Sequence, residues 1–293
     1  WYAAQQAHTA AAAATEVGDA AAAAHAQFVA DLQTVRDEVD TCSRQLDALT
    51  PDAAKVPAAE VARDAALQTA ARVNLPELMR EPGYAGLQHY WMTPWFDRVR
   101  FGRWDEIVER PNPAPDLPYV TAIWHYAQAM ADVRQSRLES AGRHYDALAK
   151  LAADPAMEQL MVWDRYSLAN AVRIAERTVA AEIALARKDP DTAIAALREA
   201  VKIEDQIPYD EPPGWHAPVR QTLGAVLLAA RRPAEAELVY REELQRNPDN
   251  GWSLRGLSDS LAAQKRRDEA RQAEQQFAAA WANADVKLAQ SRF

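Results

Sequence analysis

The chain has 293 residues and a formal net charge of −9, with 33 Lys and Arg against 42 Asp and Glu. That balance speaks against a general nucleic-acid surface, because neutralising phosphates needs a basic face. A single cysteine, Cys42, excludes an internal disulfide framework and a cysteine-cluster metal site, and no run of 18 apolar residues is present to span a membrane.

Alanine is abundant, glycine is scarce, and Ala, Leu, Arg, Glu and Gln outweigh β-branched runs, so the composition predicts an all-α chain. The length allows a large core, in one extended repeat domain or two smaller ones. The bias to arginine over lysine reads as the product of a GC-rich bacterial genome. No secretory leader is legible, and the sequence assigns no compartment.

Residues 1–80 read as an alanine-rich helical segment. Phe28, Leu32, Val35, Val39, Cys42 and Leu46 recur every three or four positions, one stripe of an amphipathic helix that ends at Thr50-Pro51. A second helix is predicted from Ala58 to Val73. Residues 81–188 change character. Tyr84, Tyr90, Trp91, Trp95, Phe96, Phe101 and Trp104 crowd into one window. Their plain reading is packing between helices, with partner binding the alternative. Gly102 reads as a helix stop and Arg103-Trp104-Asp105-Glu106 as the next start. Pro111–Pro118 reads as a bounded linker. Thr121–Ala152 holds a helix pair, and Met157–Arg187 reads as one long helix, straight or kinked.

Residues 189–293 are the most regular. Asp189–Val201 places Ala193, Leu197 and Ala200 on one face. In Pro218–Asn250, Leu223-Gly224 sits in a first apolar run, Ala236 and Tyr240 in a second, and Pro248 closes the unit. Thirty-four positions on, Leu257-Ser258 copies Leu223-Gly224 and Ala270 copies Ala236. Ile107 to Ala141 is again 34 positions, whereas Ala193 to Ala236 is 43. The small residues Gly224 and Ala236 are expected to face each other across one helix pair. Gln264, Lys265, Arg266, Arg267 and Arg271 supply a polar cap to the last pair, and Trp281–Phe293 is an end segment.

This order of Leu-Gly, Ala, aromatic and terminal Pro over about 34 residues resembles the tetratricopeptide repeat. The resemblance covers 189–280 and extends in degenerate form over 88–188, where Trp95 stands in place of the family's Gly and Ile107 in place of its Ala. It does not reach residues 1–60. The wording RFGRWDEI together with YDEPP…W…PVR…LG is similar to a group of bacterial tetratricopeptide proteins without a settled activity. The resemblance implies an all-α, right-handed superhelix of helix-turn-helix pairs, with an N-terminal segment 1–80, degenerate pairs 81–188, and regular units with an end cap 189–293. It also implies that the first helix of each pair lines a concave groove, which would present Thr178, Glu182, Gln221, Arg255 and Asp259.

Chemistry-bearing motifs are sparse. There is no His-Glu-x-x-His, GxSxG, GxxxxGK[ST] or GxGxxG, so zinc-protease, serine-hydrolase, P-loop and Rossmann readings lack support. The carboxylate pairs Asp105/Glu106, Glu204/Asp205, Asp210/Glu211 and Glu242/Glu243 read as solvated surface. His89, His125 and His216 each neighbour a Trp or Tyr. They read as packing residues, or alternatively as groups converging on a metal or small ligand. The nine positions beyond the period fall in Pro208–His216. Its prolines restrict the backbone, while Tyr209, Asp210, Glu211, Trp215 and His216 offer contact area and charge to a basic partner; the alternative is that Trp215 folds back to plug the gap between two helix pairs and the acids solvate the turn. The sequence therefore reads as a non-enzymatic scaffold or adaptor, without cofactor, binding a protein or peptide, and as a candidate subunit of a larger assembly. The alternative is a metal- or small-ligand-binding protein using His89, His125, His216 and the 208–216 loop.

Overall fold

The computed structural model describes residues 58–293 apart from 109, 211, 212, 285 and 293. The predicted stripe Phe28–Leu46, with Cys42, lies outside the described residues. The first described helix, α1, spans Ala58–Arg72, one residue short of its predicted end. Two 3-10 turns, Leu78–Arg80 and Pro82–Tyr84, lead into α2 (Gly86–Trp91), α3 (Thr93–Arg100) and the single turn α4 (Asp105–Val108). Four longer pairs follow: α5 (Pro118–Arg134) with α6 (Leu138–Ala152), α7 (Ala169–Ala186) with α8 (Pro190–Glu204), α9 (Val219–Ala229) with α10 (Pro233–Arg246), and α11 (Gly251–Ala263) with α12 (Arg267–Ala280). Each of these helices packs on the next in the chain, so the stack is built from local contacts. The 188/189 boundary drawn from the sequence falls in the turn between α7 and α8, which pack on each other. No described helix is long and apolar enough to cross a membrane.

One turn recurs between paired helices. Gly102, Ser136, Lys188, Arg231 and Lys265 all adopt left-handed backbone, with φ of 66°, 61°, 64°, 59° and 64°. In each turn the following N–H closes back on a carbonyl five residues earlier, as Arg137 does on Asp132 and Arg232 on Leu227, both at 2.8 Å. This is the Schellman ending, which satisfies carbonyls a helix end leaves open. Five positions after each turn residue stands Ile107, Ala141, Ala193, Ala236 or Ala270, and all five are buried. Seven positions before it stands Trp95, Ala129, Ala181, Gly224 or Ser258, also buried. The periodic small residues are thus the contact positions of the pairs.

Gly224 meets an aromatic ring of the second helix, Tyr240. A side chain at Gly224 would collide with the ring of Tyr240, and so would one at Gly256. Tyr240, fully buried, is clamped between two helices that each supply a glycine. The ring fills the space that two missing Cβ atoms leave, so close backbone approach and aromatic burial are one device here.

The turns from Gly102 to Ser136 and from Arg231 to Lys265 are 34 residues apart, but Ser136 to Lys188 is 52 and Lys188 to Arg231 is 43. Both surpluses are structured. The first is not the long helix, straight or kinked, predicted over Met157–Arg187. It holds a 3-10 turn, Pro155–Gln159, and a minimal antiparallel hairpin, β1 (Met161–Val162) with β2 (Tyr166–Ser167). Trp163 and Asp164 take the left-handed backbone at its tip, at φ 49° and 56°, and this interrupts the helical periodicity. The second surplus is the 207–217 loop. The two insertions are fastened together: Arg165 Nη1 lies 2.7 Å from Asp210 Oδ1, the Tyr166 hydroxyl donates to Asp210 Oδ2 at 3.1 Å, and Gly214 packs under the Tyr166 ring.

Candidate functional site

First helices of successive pairs meet around one recess. Arg100 of α3, Arg134 of α5, Glu182 of α7 and Trp252 of α11 face it, joined by His216 from the loop and Arg292 from the end segment. Arg134 and Arg292 both pair with Glu182, the former at 3.1 Å, and Glu182 is only 2% exposed. Arg100 donates to Gln221 Oε1 at 2.9 Å and lies 3.9 Å above the Trp252 ring. Burial lowers its pKa to about 10. Three guanidiniums against one carboxylate make this recess cationic within a chain of net charge −9.

The end segment closes one side. Ser291 is buried; its hydroxyl donates to the Gln221 carbonyl at 3.0 Å and receives the Tyr240 hydroxyl proton. Leu288 is buried as well. The repeat thus holds a non-helical stretch of its own chain against its first helices, through a hydroxyl and a guanidinium.

Of the residues read as groove-lining, Thr178 and Glu182 reach the recess. Gln221 is buried beneath it, holding Arg100 and, through Nε2, the Asn250 side chain at 3.0 Å. Arg255 and Asp259 are not recess residues. They pair with each other at 3.2 Å, and Arg255 leans toward Glu274 and Phe277 of α12.

The loop also differs from its expected form. Tyr209 is 79% exposed, its carbonyl taking a 2.7 Å bond from Arg165. Asp210 is engaged by Arg165 and Tyr166, so its charge is already matched within the chain. Glu211 lies outside the described residues. Trp215 is only 5% exposed, edge-on to Phe96 at 6.0 Å and to Tyr126 at 5.3 Å. Its apolar area outweighs its place in a loop, and it fills the gap between α3 and α5.

Two of the three histidines converge. His89 Nδ1 lies 2.5 Å from the Tyr119 hydroxyl, and its ring also meets the Pro213 backbone, so it helps fasten the loop from inside. His216 stacks on Phe96 at 4.7 Å and 13°, with Nε2 3.1 Å from the Tyr126 hydroxyl. It keeps some area open to the cavities it lines, yet its ring is enclosed by Phe96, Tyr126 and Trp215. Desolvation lowers the His89 pKa to about 4 and holds His216 well below the ordinary histidine range. His125 stands apart. Its Nδ1 is 2.8 Å from Nδ1 of His144, both rings edge-on to Trp124, and burial lowers its pKa to about 4. Among the described residues no group of three or more His, Cys, Asp or Glu is placed to hold a metal ion.

The recess arginines are absent from the sequence reading, although a signal exists for two of them. Arg100 and Arg134 are 34 positions apart, each two residues before its turn, where the later helices carry Ala186, Ala229 and Ala263. Arg292 has no such signal, because its partner Glu182 lies 110 positions away. Comparison with protein-family models, curated proteins and solved structures gives no match to the chain.

Proposed function

We propose that the chain is a tetratricopeptide-type scaffold, a right-handed superhelix of helix pairs, whose first helices bind an extended peptide or protein segment without catalysing a reaction. Support for the repeat type comes from the shared turn, the 34-residue spacing where nothing is inserted, and the small residues recurring on both sides of each turn. One observation carries the binding role: the Leu288–Arg292 stretch lies against the recess as a peptide would, with Ser291 on Gln221 and Tyr240 and Arg292 on Glu182. A surface that seats one such stretch is suited to seating another, from a partner or from a neighbouring subunit of an assembly.

The test uses the full chain carrying Ser291→Ala and Arg292→Ala, which frees the recess, and a fluorescent peptide of the 284–293 sequence. Anisotropy is expected to report saturable binding to the variant and binding weaker by on the order of tenfold to the unaltered chain, a difference of about 1.4 kcal/mol. A folded variant that ignores the peptide would overturn the reading.

A further inference from the structure

The end segment reaches the recess in two parts. Trp281 packs against Gly251 and donates its indole N–H to the Val286 carbonyl at 2.6 Å, which closes a turn after α12. Beyond that turn the side chains divide by burial. Leu288 and Ser291 are buried and Arg292 is half-buried, whereas Lys287, Ala289 and Gln290 are exposed. Three side chains are therefore covered by the protein, and the others space them.

Ser291 uses its hydroxyl in both directions. One oxygen donates to the Gln221 carbonyl at 3.0 Å and accepts from the Tyr240 hydroxyl at 2.5 Å, with 1% of the residue exposed. A donor and an acceptor on one short side chain is what a serine or threonine hydroxyl supplies. The Tyr240 ring is fixed by Gly224 and Gly256, so its hydroxyl cannot turn elsewhere if that acceptor is lost.

Arg292 answers a fixed carboxylate. Glu182 is buried, with Arg134 3.1 Å from one of its oxygens and Arg292 on the other. Arg134 belongs to the stack, while Arg292 arrives with the segment. The remaining guanidinium of the recess, Arg100, is engaged by Gln221 and Trp252 and lies in the field of Glu243. The second oxygen of Glu182 thus takes its cation from the segment. An acidic residue in the place of Arg292 would set two carboxylates against each other where little water can screen them.

We propose that the recess selects segments in which a serine or threonine is followed directly by arginine and preceded three positions earlier by an apolar residue, the pattern of Leu288, Ser291 and Arg292. This inference rests on the peptide-binding reading above and names the partner's chemistry. The two positions between the apolar residue and the hydroxyl carry no selection, because Ala289 and Gln290 are open to solvent. The partner is basic where it touches the first helices.

Anisotropy with fluorescent 284–293 peptides and the full chain carrying Ser291→Ala and Arg292→Ala tests the pattern. The parent peptide should bind saturably. In the peptide, R292E and S291A should each weaken binding by at least about tenfold, L288A by roughly tenfold, and Q290A by less than about twofold. Glu182→Gln added to the chain should remove most of the R292E penalty. If the freed chain does not fold, the same peptides titrated against the unaltered chain should keep this order of affinities. Failure of every peptide to bind would overturn the peptide-binding reading and this inference with it. Saturable binding at equal strength by the parent, R292E and S291A peptides, or an R292E penalty undiminished by Glu182→Gln, would overturn the pattern alone and leave the peptide-binding reading standing.

Discussion

The two ends of the described stack join helices by opposite means. From α9 to α12 the contact positions are small, and one ring, Tyr240, enters the space left by Gly224 and Gly256. In α3 and α4 the corresponding positions are large, Trp95 for Gly224 and Ile107 for Ala236, and a layer of aromatic rings packs around them. Small residues let backbones close until no space remains. A layer of rings cannot tile every gap, and at the aromatic end Tyr90, Phe96 and Phe101 line a cavity of about 370 Å³ beside the buried His89. Repetition at one end makes a rigid stack, and departure from it at the other makes a chamber.

The largest effect should come from breaking the Tyr240 clamp. Tyr240→Ala removes a fully buried ring and should cost roughly 3–5 kcal/mol, read from chemical denaturation. Gly224→Ala attacks the same contact from the other side, with overpacking worth about 1–3 kcal/mol. If the clamp is the cause, Tyr240→Leu should relieve part of the Gly224→Ala cost, with a coupling of about 0.5–3 kcal/mol in a double-mutant cycle. Additive losses would mean that ring and glycine act independently.

A second pair of variants exchanges the two solutions at one repeat position. Ile107→Ala leaves a hole among rings that cannot collapse onto it and should cost about 2–5 kcal/mol. Ala236→Ile overfills a contact built for a methyl group and should cost about 1–3 kcal/mol. Equivalent positions would then reject each other's residue. Tolerance of either exchange would show that the repeat frame does not set side-chain size.

Much of the fold was legible for the reason these variants test. A small residue at a fixed spacing is a packing constraint written locally, so Ala236 and Ala270 could be read directly. Tertiary choices were not legible. The β1–β2 hairpin rests on two-residue strands, too short for alternation to register. The commitment of Asp210 depends on Arg165, 45 positions away, and the seating of Arg292 on Glu182, 110 positions away. For Trp215 the sequence left both partner contact and a gap-filling ring open, and its burial supports the second. Thr178 and Glu182, named through the helix order that the resemblance implies, line the recess, whereas Arg100 and Arg134 were not named although they recur at the period.

The two ends should also answer to pH with opposite sign. His89 titrates near 4 rather than 6.5, because burial disfavours its charged form. Its contribution is complete above pH 6.5 and is lost as pH falls through about 4. Glu204, whose carboxylate takes the Val219 N–H at the start of α9, is raised to about 8 chiefly by desolvation. Its contribution is complete below about pH 4.5 and is lost as pH rises through 8. Melting temperature against pH should therefore fall on both sides of a maximum. His89→Gln should flatten the acid limb alone. Glu204→Gln, which imitates the neutral acid, should match the unaltered protein at pH 4 and exceed it at pH 8. A variant that changes both limbs equally would separate these slopes from the named groups.

The smallest effect concerns what the two ends share. The same left-handed turn ends the first helix of every pair, yet only the aromatic end places glycine there, at Gly102. Ser136, Lys188, Arg231 and Lys265 hold that conformation with a Cβ, at an intrinsic cost of about 1–2 kcal/mol relative to right-handed backbone. All four side chains are exposed, so their removal gives up little packing. Glycine relieves the strain but frees the unfolded chain, which takes back part of the gain. Lys188→Gly and Arg231→Gly should each stabilise by about 0.5 kcal/mol, and Gly102→Ala should destabilise by about 1 kcal/mol. Denaturant midpoints with unchanged slopes would read both signs. The turn is set by the Schellman bonds rather than by residue type, so the crossing of each pair should survive the exchange, and combining the two lysine and arginine replacements should add their gains. A loss at Lys188 or Arg231 would mean that the side chain, not the backbone, holds the turn, and that the two ends differ even where their geometry coincides.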